Sequence, residues 1–394
     1  MTDAVRQFRD FFVSLKLTVF LLVLGILLIF AATLDQVNLG IWAVQEKYFR
    51  SFFVLWRVGD VPVPVFPGGY LIGGLLLVNL VSAHAYRFKM AWRKSGIFLT
   101  HAGLILLLVG ELLSGIWQQD FSMRLSEDEP KNYSESYQHN ELVIVDTTDA
   151  ANDDVVSIPE GVLAKGDVVQ HPKLPFRVVT KLYYPNSSLR MHDETKAAAG
   201  TEPPSPATTG FGTRVVAIPL RVTYKQDERN LATAYIELVG PEGSIGTWLV
   251  STHPDLLPQA FEHGGRSWRI AFRPRREYKP FQLTLLKFSH DRYAGTDIPN
   301  NFSSRIRLQT PNGQDDREVL IYMNNPLRYA GLTFYQASFE KDNPKVTILQ
   351  VVKNPSWMLP YVACALMTLG LIIQFGIHLV GFVQKRRAPR PVVA

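Results

Sequence analysis

The chain has 394 residues, a formal net charge of +6 and a single cysteine. One cysteine excludes an internal disulfide framework, a CxxC redox pair and covalent haem attachment through CxxCH. Mean hydropathy is near neutral, but apolar weight sits near both ends and the long middle is polar, so much of the basic excess lies beside apolar runs. That placement reads as membrane topology rather than nucleic-acid binding, and no nucleic-acid partner is expected.

In chain order, residues 1–16 are polar and carry Arg6, Arg9 and Lys16. Leu17 to Leu34 is an unbroken apolar run long enough to span a bilayer. It lacks a small-residue cleavage site, which favours a retained helix with a cytoplasmic N-terminus. Between Ile41 and Val58, Trp42, Tyr48, Phe49, Phe52, Phe53 and Trp56 mix with Glu46, Lys47, Arg50 and Arg57. That mixture suits a helix lying in the interface. The prolines of VPVPVFPGG then forbid regular helix. A second span is expected over about 70–86 and a third over about 97–116, ending at Trp117. The turn between them carries Arg87, Lys89, Arg93 and Lys94.

Residues 118–355 are polar on average and rich in short β-branched and aromatic runs, among them ELVIV, FRVVTKLYY, WRIAF, QLTLLKF and LTFYQASF. Turn residues separate these runs, which predicts antiparallel sheets as a sandwich or open barrel. Residues 193–211, low in apolar content and rich in Pro, Ala and Thr, read as a mobile insertion. A last span over about 357–383 ends in the basic QKRRAPRP. The expected fold class is a mixed α and β membrane protein. Four transmembrane helices, three N-terminal and one C-terminal, carry a large extracytoplasmic antiparallel β domain. The corresponding units are 1–117, 118–355 and 356–394.

Ionisable residues inside spans are costly and therefore functional candidates. His84, His101 and His378 all fall near the cytoplasmic ends of their spans. His84 and His378 suit interfacial snorkelling or a local hydrogen bond about as well as a functional role. His101 lies in the wholly apolar GIFLTHAGLILLLVG, where Gly96, Gly103 and Gly110 recur every seven residues. Such a stripe admits either a closely packed helix or a flat ligand. An imidazole facing it is a candidate axial haem ligand, though the residues alone weigh ligand and structural histidine evenly. Asn79 can hydrogen-bond between helices, and Glu111 lies near the outer interface. Cys364 is expected to be a small buried apolar residue. His139, His171, His192, His253, His263 and His290 are scattered without metal-ligand spacing.

Several stretches share one resemblance: SLKLTVFLLVLGILLIFAATLDQ, GIFLTHAGLILLLVGELL, YAGTDIPNNFSSRIRL, MNNPLRYAGLTFYQASF and NPSWMLPYVACALMTLGLI. With the three-plus-one layout, they resemble the ResB family, also called CcsB, of System II cytochrome c biogenesis proteins. The most specific part is Asn325-Pro326-Leu327, Tyr329, Gly331 and Phe334 to Ser338. The resemblance implies a subunit that pairs with a CcsA-type membrane protein, exports haem and delivers it to apocytochrome c outside the cytoplasm. It implies haem b shared with the partner, with His101 at the matching histidine position as axial ligand to the iron. His84 stays a second candidate. No catalytic residue is assigned to this chain, because the tryptophan-rich haem-handling motif of the partner is missing. Any synthase (haem lyase) chemistry then belongs mainly to the partner. The absence of a transit-type leader favours a bacterial inner membrane. The competing expectation is a non-haem membrane scaffold whose β domain binds an assembly partner.

Overall fold

The computed structural model describes residues 3–387 except 60, 88–90, 150–151, 194–202, 204, 224–228, 293–298, 341–342 and 344. Lys89 and the end of the basic tail lie outside the described residues. The chain divides into two compact units. Among the described residues, one comprises 3–119 and 353–387 and the other lies within 120–352.

In the first unit, α1 (Asp3–Phe12) stops at a break, and α2 (Leu15–Val44) begins after Ser14. The Ser14 hydroxyl accepts the Lys16 N–H at 3.2 Å, serving as the cap of the new helix. Gly40, at φ 75°, kinks α2 near its far end. There Asp35 accepts Lys47 Nζ at 2.6 Å and Tyr48 Oη at 2.9 Å, fastening the following turn (Gln45–Phe49) to the helix.

The interfacial helix expected up to Val58 ends at that turn. β1 (Phe53–Val58) and β2 (Val61–Pro67) instead form an antiparallel hairpin. The reason is local. FVLWRV is β-branched and aromatic, and Gly59 at φ +64° supplies the turn. Pro62 and Pro64 are tolerated because a two-stranded hairpin has only edge strands. Val54 packs with Val44 and Tyr48, while Phe53, Leu55 and Trp56 stay exposed.

Three further helices complete this unit: α3 (Gly69–Arg87), α4 (Ser95–Trp117) and α6 (Leu359–Arg387). With α2 they are the four helices long and apolar enough to cross a membrane, three N-terminal and one C-terminal. Many of their large apolar side chains are exposed, including Phe20, Phe30, Ile372 and Phe375. Helices apolar over most of their circumference need a hydrocarbon solvent. Cys364, expected inside, lies exposed on α6, where a thiol behaves as a small apolar group facing lipid.

The second unit is almost entirely antiparallel β. A ten-stranded sheet has β15 (Asp316–Tyr322), β14 (Pro299–Gln309), β13 (Arg266–Arg292), β4 (Pro130–Asp146), β3 (Gln119–Ser126), β18 (Val346–Lys353), β17 (Leu332–Phe339) and β16 (Leu327–Tyr329) in that order. β12 (Gln259–His263) pairs with β13 and β5 (Asp154–Pro159) with β4. A second sheet runs β11 (Gly243–Ser251), β10 (Thr233–Gly240), β7 (Arg177–Tyr184) and β6 (Val168–Val169). β8 (Ser187–Met191) and β9 (Val215–Pro219) form a separate hairpin.

β13 is the spine of this unit. WRIAF and QLTLLKF, which read as separate strands, belong to one element, because Pro274 and Pro280 fall where the register with β4 shifts rather than at strand ends. Its first half gives Trp268, Ile270 and Phe272 to one core, against Leu142, Ile144, Ile236 and Trp248. Its second half gives Phe281, Leu283, Leu285 and Phe288 to another, against Phe121, Ile306, Phe334 and Leu349. α5 (Glu160–Lys165) seals the first core. Glu160 at its start accepts the Tyr183 hydroxyl at 2.5 Å and Asn140 Nδ2 at 3.0 Å. Burial, and then the Glu160 carboxylate, hold the Tyr183 phenol above its ordinary range.

The insertion expected over 193–211 falls partly on residues outside the description. Its last part is fastened: Thr208 and Thr209 donate to the Thr247 carbonyl at 3.0 and 3.2 Å, and Ala207 packs beside Tyr235 and Leu249.

Candidate functional site

Asn79 sets the rotation of α3. It is 2% exposed, accepts Thr18 Oγ1 at 2.6 Å and donates to the Phe12 and Ser14 carbonyls at 2.7 and 3.2 Å. The Phe12 carbonyl at the end of α1 is thereby satisfied from a neighbouring helix, and the Ser14 carbonyl, which the Thr18 N–H reaches at 3.4 Å, gains a further donor. Removing such a buried amide strands several partners. Asn79→Ala is expected to cost about 2 kcal/mol, read as a lower midpoint of thermal unfolding in detergent.

The glycine stripe of α4 packs against α6. A Cβ at Gly96 would meet the Gly370 carbonyl at 2.6 Å, one at Gly103 the Ala363 carbonyl at 2.7 Å, and one at Gly110 Leu359 Cβ at 3.1 Å. The two helices are therefore antiparallel and touch backbone to backbone. Of the two occupants the stripe admits, a helix or a flat ligand, the structure seats the helix.

His101 faces away from that stripe. Two positions before Gly103 is about 200° around the helix axis, close to the opposite side. Its ring meets His84 of α3 at 4.8 Å between centroids and 81° between planes. Phe98 lies 5.9 Å from His84. His84 Nδ1 is 3.3 Å from the Leu80 carbonyl. The His101 Nδ1 atom is buried and has no hydrogen-bond partner among the described residues.

His378 belongs to a different cluster. Its Nε2 lies 2.8 Å from the side-chain amide nitrogen of Gln374, which packs against Gly96 on the α6 side of α4. Glu111 is exposed on α4. Among the histidines of the β unit, His290 is enclosed: its ring lies 4.7 Å from Phe302 and 4.6 Å from Phe339, with Nε2 buried. The three span histidines thus resolve into one pair, His84 with His101, and one residue apart.

The pair permits a simple test of fit for haem. A buried imidazole nitrogen without a partner, in an apolar span, matches a single axial ligand donated by this chain. The same two rings do not fit as opposed ligands in this arrangement. Two imidazoles on opposite faces of one flat group would have to stand apart with that group between them, whereas these rings meet edge to face at 4.8 Å. The contact between His84 and His101 depends on how α3 packs on α4, and no sequence spacing signals it.

The motif Phe334 to Ser338 lies on β17. Phe334 is fully buried in the second core, whereas Tyr335 is 36% exposed. Gln336 accepts Ser304 Oγ at 2.6 Å and donates to Thr347 Oγ1 at 2.9 Å, stitching β14 to β18 across β17. Leu327 and Tyr329 also join this core, Tyr329 edge-on to Phe281 at 4.9 Å. Most of the motif is packing.

These features define a four-span membrane protein carrying a large antiparallel β unit. Residues 259–348, from β12 to the start of β18, match the model of the ResB-like family. Protein NrfI of Wolinella succinogenes is 36% identical over 103 residues, 26% of this chain and 11% of that protein. The match thus spans only about a tenth of that relative's length. Over these stretches the chain is similar to the ResB-like family.

Proposed function

We propose that the protein is the haem-handling subunit of a cytochrome c maturation complex in a bacterial inner membrane. The observation that carries this reading is the His101 ring, with a buried and unpartnered nitrogen inside an apolar span. The family match over 259–348 supports it. Basic residues at the N-terminus, at Arg93 and Lys94 and at the C-terminus put one side of the spans in the cytoplasm and the β unit outside.

On this reading His101 would hold a haem b shared with a CcsA-type partner. The failure of His84 and His101 to oppose one another supports a ligand from a second subunit. Bound there, haem is the group exported and presented to apocytochrome c. This chain's part is to hold it near the cytoplasmic side of the spans. The apolar side chains around His101 keep water from the iron, and thioether formation belongs to the partner. A second reading is a scaffold without haem, whose β unit binds an assembly partner. It is favoured by the glycine stripe being filled by α6 and by the motif on β17 being mostly core.

Complementation separates the two. In a strain lacking this gene, c-type cytochromes carrying covalent haem are expected to vanish on a haem-stained gel and return with the full-length chain. His101→Ala, inserted at normal levels, is expected to restore less than a tenth of them. Full restoration by His101→Ala would leave the scaffold reading standing.

A further inference from the structure

We infer that the β1–β2 hairpin lies in the headgroup layer of the bilayer, with a lipid surface as its partner. This placement is independent of His101. The hairpin leaves the far end of α2 and returns at the start of α3, the end opposite the turn at Arg93 and Lys94. The Gly68 N–H donates to the Phe52 carbonyl at 2.9 Å, and the Tyr70 N–H to the Ser51 carbonyl at 3.2 Å. A Cβ at Gly69 would stand 2.5 Å from the Phe49 carbonyl, so the hairpin is fastened closely to the span ends. Trp117, ending α4, and Tyr361, near the start of α6, are exposed at the same end of the spans. Aromatic side chains at one level mark where hydrocarbon meets water.

The hairpin carries apolar side chains on both faces. Alternation puts Phe53 and Leu55 on one face of β1 and Trp56 and Val58 on the other. All four are exposed, Trp56 at 67%, as are Val61, Val63 and Val65 of β2. A protein partner covers one face of a ribbon, whereas a lipid layer surrounds it. The free edge argues the same way. Counted from the Val58–Val61 pair at the turn, Pro62 and Pro64 fall where an N–H would point outward, and proline has none. An added strand would find no donor at either position. The same loss leaves fewer polar groups to be stripped of water at a lipid surface. The outward carbonyls still need water, which holds the ribbon at the headgroups rather than in hydrocarbon.

A depth measurement on the full chain in phosphatidylcholine vesicles tests this. In a Cys364→Ser background, a nitroxide is attached at Leu55→Cys or Val58→Cys, one on each face. Its collisions with oxygen and with a water-soluble nickel complex are compared. Phe30→Cys, on the exposed surface of α2, and Glu242→Cys, in a turn of the β unit, calibrate lipid and water. Both hairpin labels are expected to favour oxygen over nickel several-fold more than the Glu242 label does, and to lie shallower than the Phe30 label. Nickel access at both positions equal to that at Glu242 would overturn the inference. So would shielding of one face alone, or shielding that needs a co-purified membrane protein, either of which assigns the hairpin to a protein partner. Water-like access at Phe30 would overturn the spanning helices themselves, and this placement with them.

Discussion

Gly103→Leu is expected to separate α4 from α6 and to cost on the order of 3 kcal/mol or more. The new Cβ would stand 2.7 Å from the Ala363 carbonyl and 2.6 Å from Met367 Cγ. The methionine can turn away, but the carbonyl belongs to a helix held by an equally close backbone approach at Gly96 and by Leu359 Cβ at 3.1 Å from a Cβ at Gly110. Relief therefore requires the whole helix to move, which strips dispersion contacts along the interface. Gly73→Leu is the matched control, because a Cβ there meets nothing within 4 Å. It is expected to change stability by no more than about 0.5 kcal/mol. Thermal unfolding of both variants in detergent reads the difference.

Phe334→Ala is expected to be the most damaging single change in the motif on β17, at about 3–5 kcal/mol. The side chain is fully buried, with Phe281 edge-on at 6.2 Å, and the surrounding sheet cannot collapse into the space it leaves. Tyr335→Ala, one residue along and on the opposite face, is expected to stay within about 1 kcal/mol. If Tyr335→Ala nevertheless lowered cytochrome maturation while the protein stayed folded, the exposed face of β17 would be a contact surface. Equal losses of stability from both substitutions would contradict the register described here.

The four long apolar helices were legible because four runs are apolar over bilayer length. The hairpin at 53–67 was hidden by composition: aromatic and charged residues mix there as they do on an interfacial helix, and only the alternation in FVLWRV argues for strand. β13 was divided in reading because Pro274 and Pro280 usually end strands, and a register shift with β4 is invisible without β4. At the site, the seven-residue glycine spacing correctly signals close approach. It does not say what approaches, and two positions of helix already put His101 on the other side. The Asn79 bond between helices was foreseeable from a lone amide in an apolar run. The pairing of His84 with His101 was not, because residues on separate helices meet only through packing.

His101, His84 and Asn79 form one chain of support, from the α1–α2 break through α3 to α4. The glycine stripe braces α4 from its other side. The histidine is thus held between two packed helices rather than on a free face, as a site on rigid elements requires.

The most direct measurement is the visible spectrum of the co-purified membrane complex with wild-type His101 and with His101→Ala. Wild type is expected to show low-spin haem with two nitrogenous ligands. His101→Ala should lose that spectrum while elution volume and unfolding midpoint stay within error of wild type. An unchanged low-spin spectrum and occupancy in a folded His101→Ala complex would contradict the assignment of His101 as the ligand.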